Sequence, residues 1–116
     1  MIDTSRVLNP FDIRERITVG QAAQVAGKSE STIRTWCTER GIARRVANGP
    51  WQISKVALMM LLDGDLRALR AYQSGDRESE LVIAYYDRAG IGDLPRKKWA
   101  QNQQISQVLA KSAAVP

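Results

Sequence analysis

Residues 18 to 41, Thr18-Val-Gly-Gln-Ala-Ala-Gln-Val-Ala-Gly27-Lys-Ser-Glu-Ser-Thr-Ile-Arg-Thr-Trp-Cys-Thr-Glu-Arg-Gly41, constrain this chain more than any other stretch. They read as two short helices about a tight turn. Thr18 with Gln21 forms a capping-box pattern, in which a hydroxyl and an amide satisfy free N–H groups at a helix start. Ala22, Ala23 and Ala26 give the first helix a small-residue face that lets a second helix approach closely. Gly27 suits a turn that needs a left-handed backbone. Ser29 caps the second helix, Glu30 sits at its positive end, and Gly41 is its C-terminal stop.

On the second helix, Ile33, Trp36 and Cys37 fall at i, i+3 and i+4, a narrow apolar stripe expected to pack on the alanines and on Leu58, Leu61 or Leu62. Ser31, Arg34, Thr35 and Thr38 then occupy the opposite side: short hydroxyls around one arginine, a surface suited to a groove of duplex DNA. Arg34 can fork onto guanine or grip a phosphate. Lys28 and Ser29, where free N–H groups gather at the helix start, are expected phosphate contacts.

A hairpin signal follows. Ile42–Val46 and Trp51–Ile53 flank Asn48-Gly49, a favoured pair for a tight turn, and Pro50, which lacks an N–H, makes the second strand short and places it at an edge. Arg44 and Arg45 point to opposite faces of a strand, so one of them is expected free to meet phosphate. Asn48 and Gly49 at the tip are small enough to approach a backbone or the minor groove. Ser54 caps a helix through Leu62, halted at Asp63-Gly64. Asp65 opens another, with Leu66, Leu69 and Tyr72 on one face, ending near Gly75. Asp76 begins a further helix, with Glu78 and Glu80 in its first turns and Gly90 at its end. Residues 91–95 read as a loop.

Before Ile17 the chain is ambiguous: Asn9-Pro10 marks a turn, and Val7, Leu8, Phe11, Ile13 and Ile17 are candidates to pack as a lead-in. The expected organisation is a lead-in at 1–16, a compact domain at 17–75, a helix and loop packing on it at 76–95, and a basic, glutamine-rich tail at 96–116. In that tail Trp99, Ile105, Val108 and Leu109 form a weak helical face.

Composition narrows the functions. The longest apolar run, Val56 to Leu62, is seven residues, too short for a membrane span. No secretory signal is visible. One cysteine and no histidine leave no internal disulfide and none of the common metal sites, so no cofactor is expected and a reducing cytoplasm is the expected compartment. Cys37, Trp36, Trp51, Met59 and Met60 read as core. No carboxylate or nucleophile cluster suggests acid–base or triad chemistry, so an enzyme is not expected; Asp63 and Asp65 are explained by capping and turn formation. Of the net charge of +5, most lies between Lys28 and Lys55, where six cations face two anions, as attraction to phosphates requires.

These residues resemble the MerR-type winged helix-turn-helix superfamily, above all its small excisionase-like members. The resemblance runs through Ile17-Thr18-Val19, Ala22-Ala23, Thr32-Ile33-Arg34-Thr35-Trp36, Gly41-Ile42, the glycine-containing hairpin and Ile53-Ser54 leading into an apolar helix, over about residues 17 to 63. It implies a mainly α fold, with a two-stranded β-hairpin wing and additional C-terminal helices. The second helix would enter the major groove, with Arg34 and neighbouring polar residues, Thr32 included, carrying base or phosphate contacts. The hairpin carries Asn48-Gly49-Pro50-Trp51 where the family's wing is more basic, so strong insertion into the minor groove is not expected. Residues 76–90 are too short for the family's long dimerising helix, and no metal-ligand cluster exists, so a ligand-sensing activator of the usual plan is not expected either.

The expected function is that of a small sequence-specific double-stranded DNA-binding protein, a transcriptional regulator reading the major groove with residues 30–40 and the backbone with residues 42–53. A homodimer or cooperative binding on DNA is expected, because one domain reads few bases. Alternatives in order are an excisionase-like recombination directionality factor that bends DNA, a DNA-recognition protein like the small subunit of phage terminase, and a protein–protein adaptor using 96–116.

Overall fold

The computed structural model describes residues 6–9 and 11–95. The expected tail at 96–116, with Trp99, Ile105, Val108 and Leu109, lies outside the described residues, as does Pro10. The fold is mainly helical with a small antiparallel sheet. In chain order the elements are β1 (Arg16–Ile17), α1 (Val19–Ala26), α2 (Glu30–Glu39), β2 (Ala43–Arg44), β3 (Gln52–Ser54), α3 (Lys55–Leu62), α4 (Leu66–Gln73) and α5 (Glu80–Arg88). Among the described residues, no helix is long and apolar enough to cross a membrane.

Local chemistry sets the helix ends. Thr18 and Gln21 form the full reciprocal cap of α1. Ser29, Ser54, Asp65 and Ser79 each accept a backbone N–H at the start of α2, α3, α4 and α5. Gly27 closes α1 with φ of +66°, a left-handed backbone in which a residue carrying a Cβ would be strained. The last helix starts later than the sequence suggests. Asp76 accepts from the N–H groups of Glu78 and Ser79 in a preceding turn, and Ser79 is the cap, so Glu78 lies outside α5. Residues 93–95, expected as loop, are helical, with Ile91 and Leu94 buried.

The sheet has three strands rather than the two of a simple hairpin, in the order β1-β3-β2, so the strand after Pro50 is central rather than at an edge: Pro50 precedes β3 and takes no ladder position. Ile17 lies opposite Ile53 and Arg16 opposite Ser54; Ala43 and Arg44 lie opposite Ile53 and Gln52. Five fully buried side chains, Ile33, Ile42, Ile53, Val56 and Leu58, join sheet and helices in one core. Helix α2 packs chiefly on α1 and β2, its Ile33 and Cys37 share one buried cluster with Leu58 of α3, and α3, α4 and α5 pack on one another. Leu62 and Leu66, expected inside, are 42% and 46% exposed.

The lead-in is part of this core. Val7 and Leu8 are fully buried, whereas Phe11 and Ile13 face solvent. The turn at 6–9 is held from three sides: Leu8 donates its N–H to Tyr72 Oη (2.9 Å), Arg44 donates to the Leu8 carbonyl (3.2 Å), and Arg77 to that of Arg6 (2.6 Å). The Arg77 guanidinium also lies 3.8 Å over the Tyr72 ring.

Glu15 joins all these parts. It is 2% exposed, and its carboxylate accepts from Ser54 Oγ (2.7 Å), from the Tyr72 hydroxyl and from the Tyr86 hydroxyl (2.7 Å). Its backbone carbonyl accepts the Lys55 N–H. Burial above all, and then the adjacent Glu15 charge, push the Tyr72 hydroxyl well above its ordinary range, so it remains a donor. Burial likewise raises Tyr86, with Tyr72 and Glu15 adding to it.

Removing this acceptor orphans three buried hydroxyls, each costing about 1–3 kcal/mol. Glu15→Ala is therefore expected to lose about 3 kcal/mol or more in urea unfolding, and Glu15→Gln, which keeps one acceptor oxygen, roughly half as much. Equal stability of Glu15→Ala and the parent would contradict this role.

Candidate nucleic-acid interface

Helix α2 presents two chemically distinct sides. Ile33 and Cys37 are buried, and Trp36 is half-buried against the same core. Ser31, Arg34, Thr35 and Thr38 are all exposed on the other side. Their hydroxyl protons are partly committed: Thr35 donates to the Ser31 carbonyl (3.2 Å) and Thr38 to that of Thr35 (2.9 Å). Such back-bonding leaves the oxygen lone pairs as acceptors toward an incoming group.

Arg34 is not bare. Its Nη2 donates to Glu30 Oε1 at 3.2 Å, one helical turn back, with both side chains 56% exposed. An exposed pair of this type is worth about 0–1 kcal/mol, so a phosphate or guanine can displace the carboxylate at small cost.

Other residues of the expected contact set sit differently. Lys28 is exposed at the turn, beside Gly27. The Ser29 hydroxyl is engaged twice, accepting the Thr32 N–H (3.1 Å) and donating to Thr32 Oγ1 (3.0 Å). Ser29 is therefore a cap first, and Thr32, half-buried beneath it, is not on the free side of α2. Gln24, outside the expected contact set, stands near Lys28. It is exposed and lines a shallow depression with Ala23, Lys28 and Glu30 at the helix–helix turn, and its signal is a polar residue one turn before Lys28.

In the hairpin the two arginines do face apart. Arg44 is half-buried and bound to the Leu8 carbonyl, so it is withdrawn from the surface. Arg45 is exposed and folds back on the tip, donating Nε to the Gly49 carbonyl (2.8 Å) and lying 5.3 Å from the Trp51 ring centroid. The tip is not the two-residue Asn48-Gly49 turn. The Gly49 N–H closes on the Val46 carbonyl (3.0 Å), and the left-handed residue is Ala47, with φ of +53°. The strands end at Arg44 and begin again at Gln52, so residues 45–51 form a loop that carries Asn48 and Gly49 at its end.

Among the described residues, no group of three or more Cys, Asp or Glu is arranged to hold a metal ion. Asp63 and Asp65 are tied together by the Tyr85 hydroxyl, 3.0 Å from each, and Arg88 pairs with Asp63 at 2.6 Å. The Arg88 guanidinium, then the Tyr85 hydroxyl, hold the Asp63 carboxyl below the usual range. This link between α3 and α5 is thus present at neutral pH and lost only as the solution becomes strongly acid.

No protein-family model, no curated protein and no solved structure matches this chain.

Burial pushes the Cys37 thiol up to about 11, against the opposing pull of Arg34. The thiol is protonated at neutral pH and shielded under α2, so an aromatic disulfide reagent should modify it slowly in the native state and rapidly after denaturation. Fast native labelling at pH 7 would show that α2 is not seated on its core.

Proposed function

We propose that α1, α2, the sheet and the 45–51 loop act as a winged helix-turn-helix, and that the chain is a small sequence-specific double-stranded DNA-binding protein, a transcriptional regulator. The observation that carries the reading is the division of α2: Ile33 and Cys37 inside, Ser31, Arg34, Thr35 and Thr38 together outside. A helix anchored along one side, with a row of small polar residues around one arginine on the other, fits a major groove without bulky obstruction. Lys28 stands at the helix–helix turn and Arg45 beside the loop tip, so cations flank α2 at both ends of the proposed footprint.

In this reading Arg34 leaves Glu30 for guanine or a phosphate, and the Thr35 and Thr38 methyl groups can meet thymine methyls. The loop touches the flanking backbone through Asn48, Gly49 and the remaining N–H groups of Arg45. Arg44 has a structural role instead, because its guanidinium holds the Leu8 carbonyl. Two copies on the duplex, as a dimer or side by side, supply the base pairs that a single helix does not read.

The test is a selection over random duplexes followed by affinity measurements at several salt concentrations. Arg34→Ala is expected to weaken binding to the selected duplex by about 1–3 kcal/mol and relax preference at one position if it reads a base. A loss uniform across sequences would assign it to phosphate. Unchanged affinity and preference would remove Arg34 from the interface, and no salt-dependent duplex binding by the parent protein would overturn the function itself.

A further inference from the structure

The end of α2, Leu61 of α3 and one side of α4 line an open groove of about 480 Å³ that contains none of the residues proposed above to touch DNA. Leu61, Leu66 and Leu69 supply its apolar lining, and Arg40, Arg70 and Gln73 its polar edges. Leu69 is buried at its base and Leu66 is 46% exposed. The apolar stripe of α4 therefore runs past the core and out to the surface. Gln73 anchors the edge, donating Nε2 to the Arg40 and Gly41 carbonyls at 2.9 and 3.0 Å. Neither Arg40 nor Arg70 pairs with a carboxylate among the described residues; Glu39 is the acidic residue at the groove.

We propose that this groove docks an acidic amphipathic peptide segment of a partner protein, its apolar side chains on Leu61, Leu66 and Leu69 and its carboxylates on Arg40 and Arg70. Charge selects this occupant. Residues 96–116 of the same chain carry Arg96, Lys97, Lys98 and Lys111 and no acidic residue, so that segment has no carboxylate to offer the two arginines. A second copy, with a net charge of +5, is disfavoured by like-charge repulsion. Arginine at the edge of a small apolar surface suits carboxylates through paired hydrogen bonds. The groove is open along its length, which suits a helix or extended peptide laid on it better than an enclosed small molecule.

The test uses fluorescence anisotropy with two labelled peptides of roughly 12 residues, long enough for three helical turns. One places Leu at i, i+3, i+4 and i+7 with Glu elsewhere; the other replaces each Glu by Lys. The full chain is expected to bind the acidic peptide with a Kd of about 10–100 µM and the basic one not measurably. Leu66→Glu and Arg70→Glu, both at exposed positions, should each weaken it about tenfold or more. Their circular dichroism, thermal midpoint and duplex affinity should match the parent, which separates this site from the proposed DNA surface.

Three results would overturn the proposal. One is no binding of the acidic peptide at about 1 mM, a limit below which no useful affinity remains. The second is binding that both substitutions leave intact, or that Arg34→Ala alone abolishes. The third is saturation of the groove by dodecanoate, read as Leu66→Glu-sensitive binding, while neither peptide binds.

Discussion

One buried carboxylate organises this small protein. Glu15 stands just before β1 and receives hydroxyls from the β3–α3 junction, from α4 and from α5. An isolated buried charge is costly, and three donors are what make this one tolerable. The same set of bonds fixes geometry. Ser54 gives its proton to Glu15 while its oxygen accepts the Ala57 N–H and caps α3. Tyr72 gives its proton to Glu15 while its oxygen accepts the Leu8 N–H. Strand pairing, helix capping and the N-terminal turn thus share two hydroxyls, and disturbing either disturbs several elements together.

The consequences reach α2 through the sheet. With β1 and β2 on either side of β3, Ile42 and Ile53 are fixed as floor, and α2 seats Ile33 and Cys37 over it. Ser29 and Gly27 then define where α2 begins, one by capping and one by a left-handed backbone. What remains outward is a side whose longest member is Arg34, held by a weak pair with Glu30. A pair that weak orders the arginine without locking it, an arrangement compatible with an exchangeable contact to an anion.

Much of this was legible locally. Caps announce themselves by residue type within a few positions, so Thr18 with Gln21, Ser29, Ser54 and Asp65 were readable, as was the left-handed need at Gly27. The alternation of α2 is likewise a property of adjacent residues. Glu15 was not legible, because its three partners lie 39, 57 and 71 positions away, and nothing local marks a carboxylate for burial. Strand β1 is two residues long and exists through its pairing with β3, so no periodicity signals it. Asp76 and Ser79 are both capping types, and tertiary packing decides which one starts α5. At the proposed interface, the inward turn of Arg44 depends on the Leu8 carbonyl, 36 residues distant, and the alternation rule says that the two arginines part without saying which one leaves the surface. The hairpin tip misled for a conformational reason: Asn48-Gly49 favours a two-residue turn, but a longer loop with Ala47 left-handed formed instead.

Duplex recognition by the outward side of α2 is the claim on which the functional account stands. Amide chemical-shift mapping of the isotope-labelled protein with its selected duplex tests it directly. The account predicts that the largest changes fall on residues 28–38 and 45–49, with α4 and α5 little affected. Changes confined to α4 and α5, or none on residues 31, 34, 35 and 38 at saturation, would contradict it.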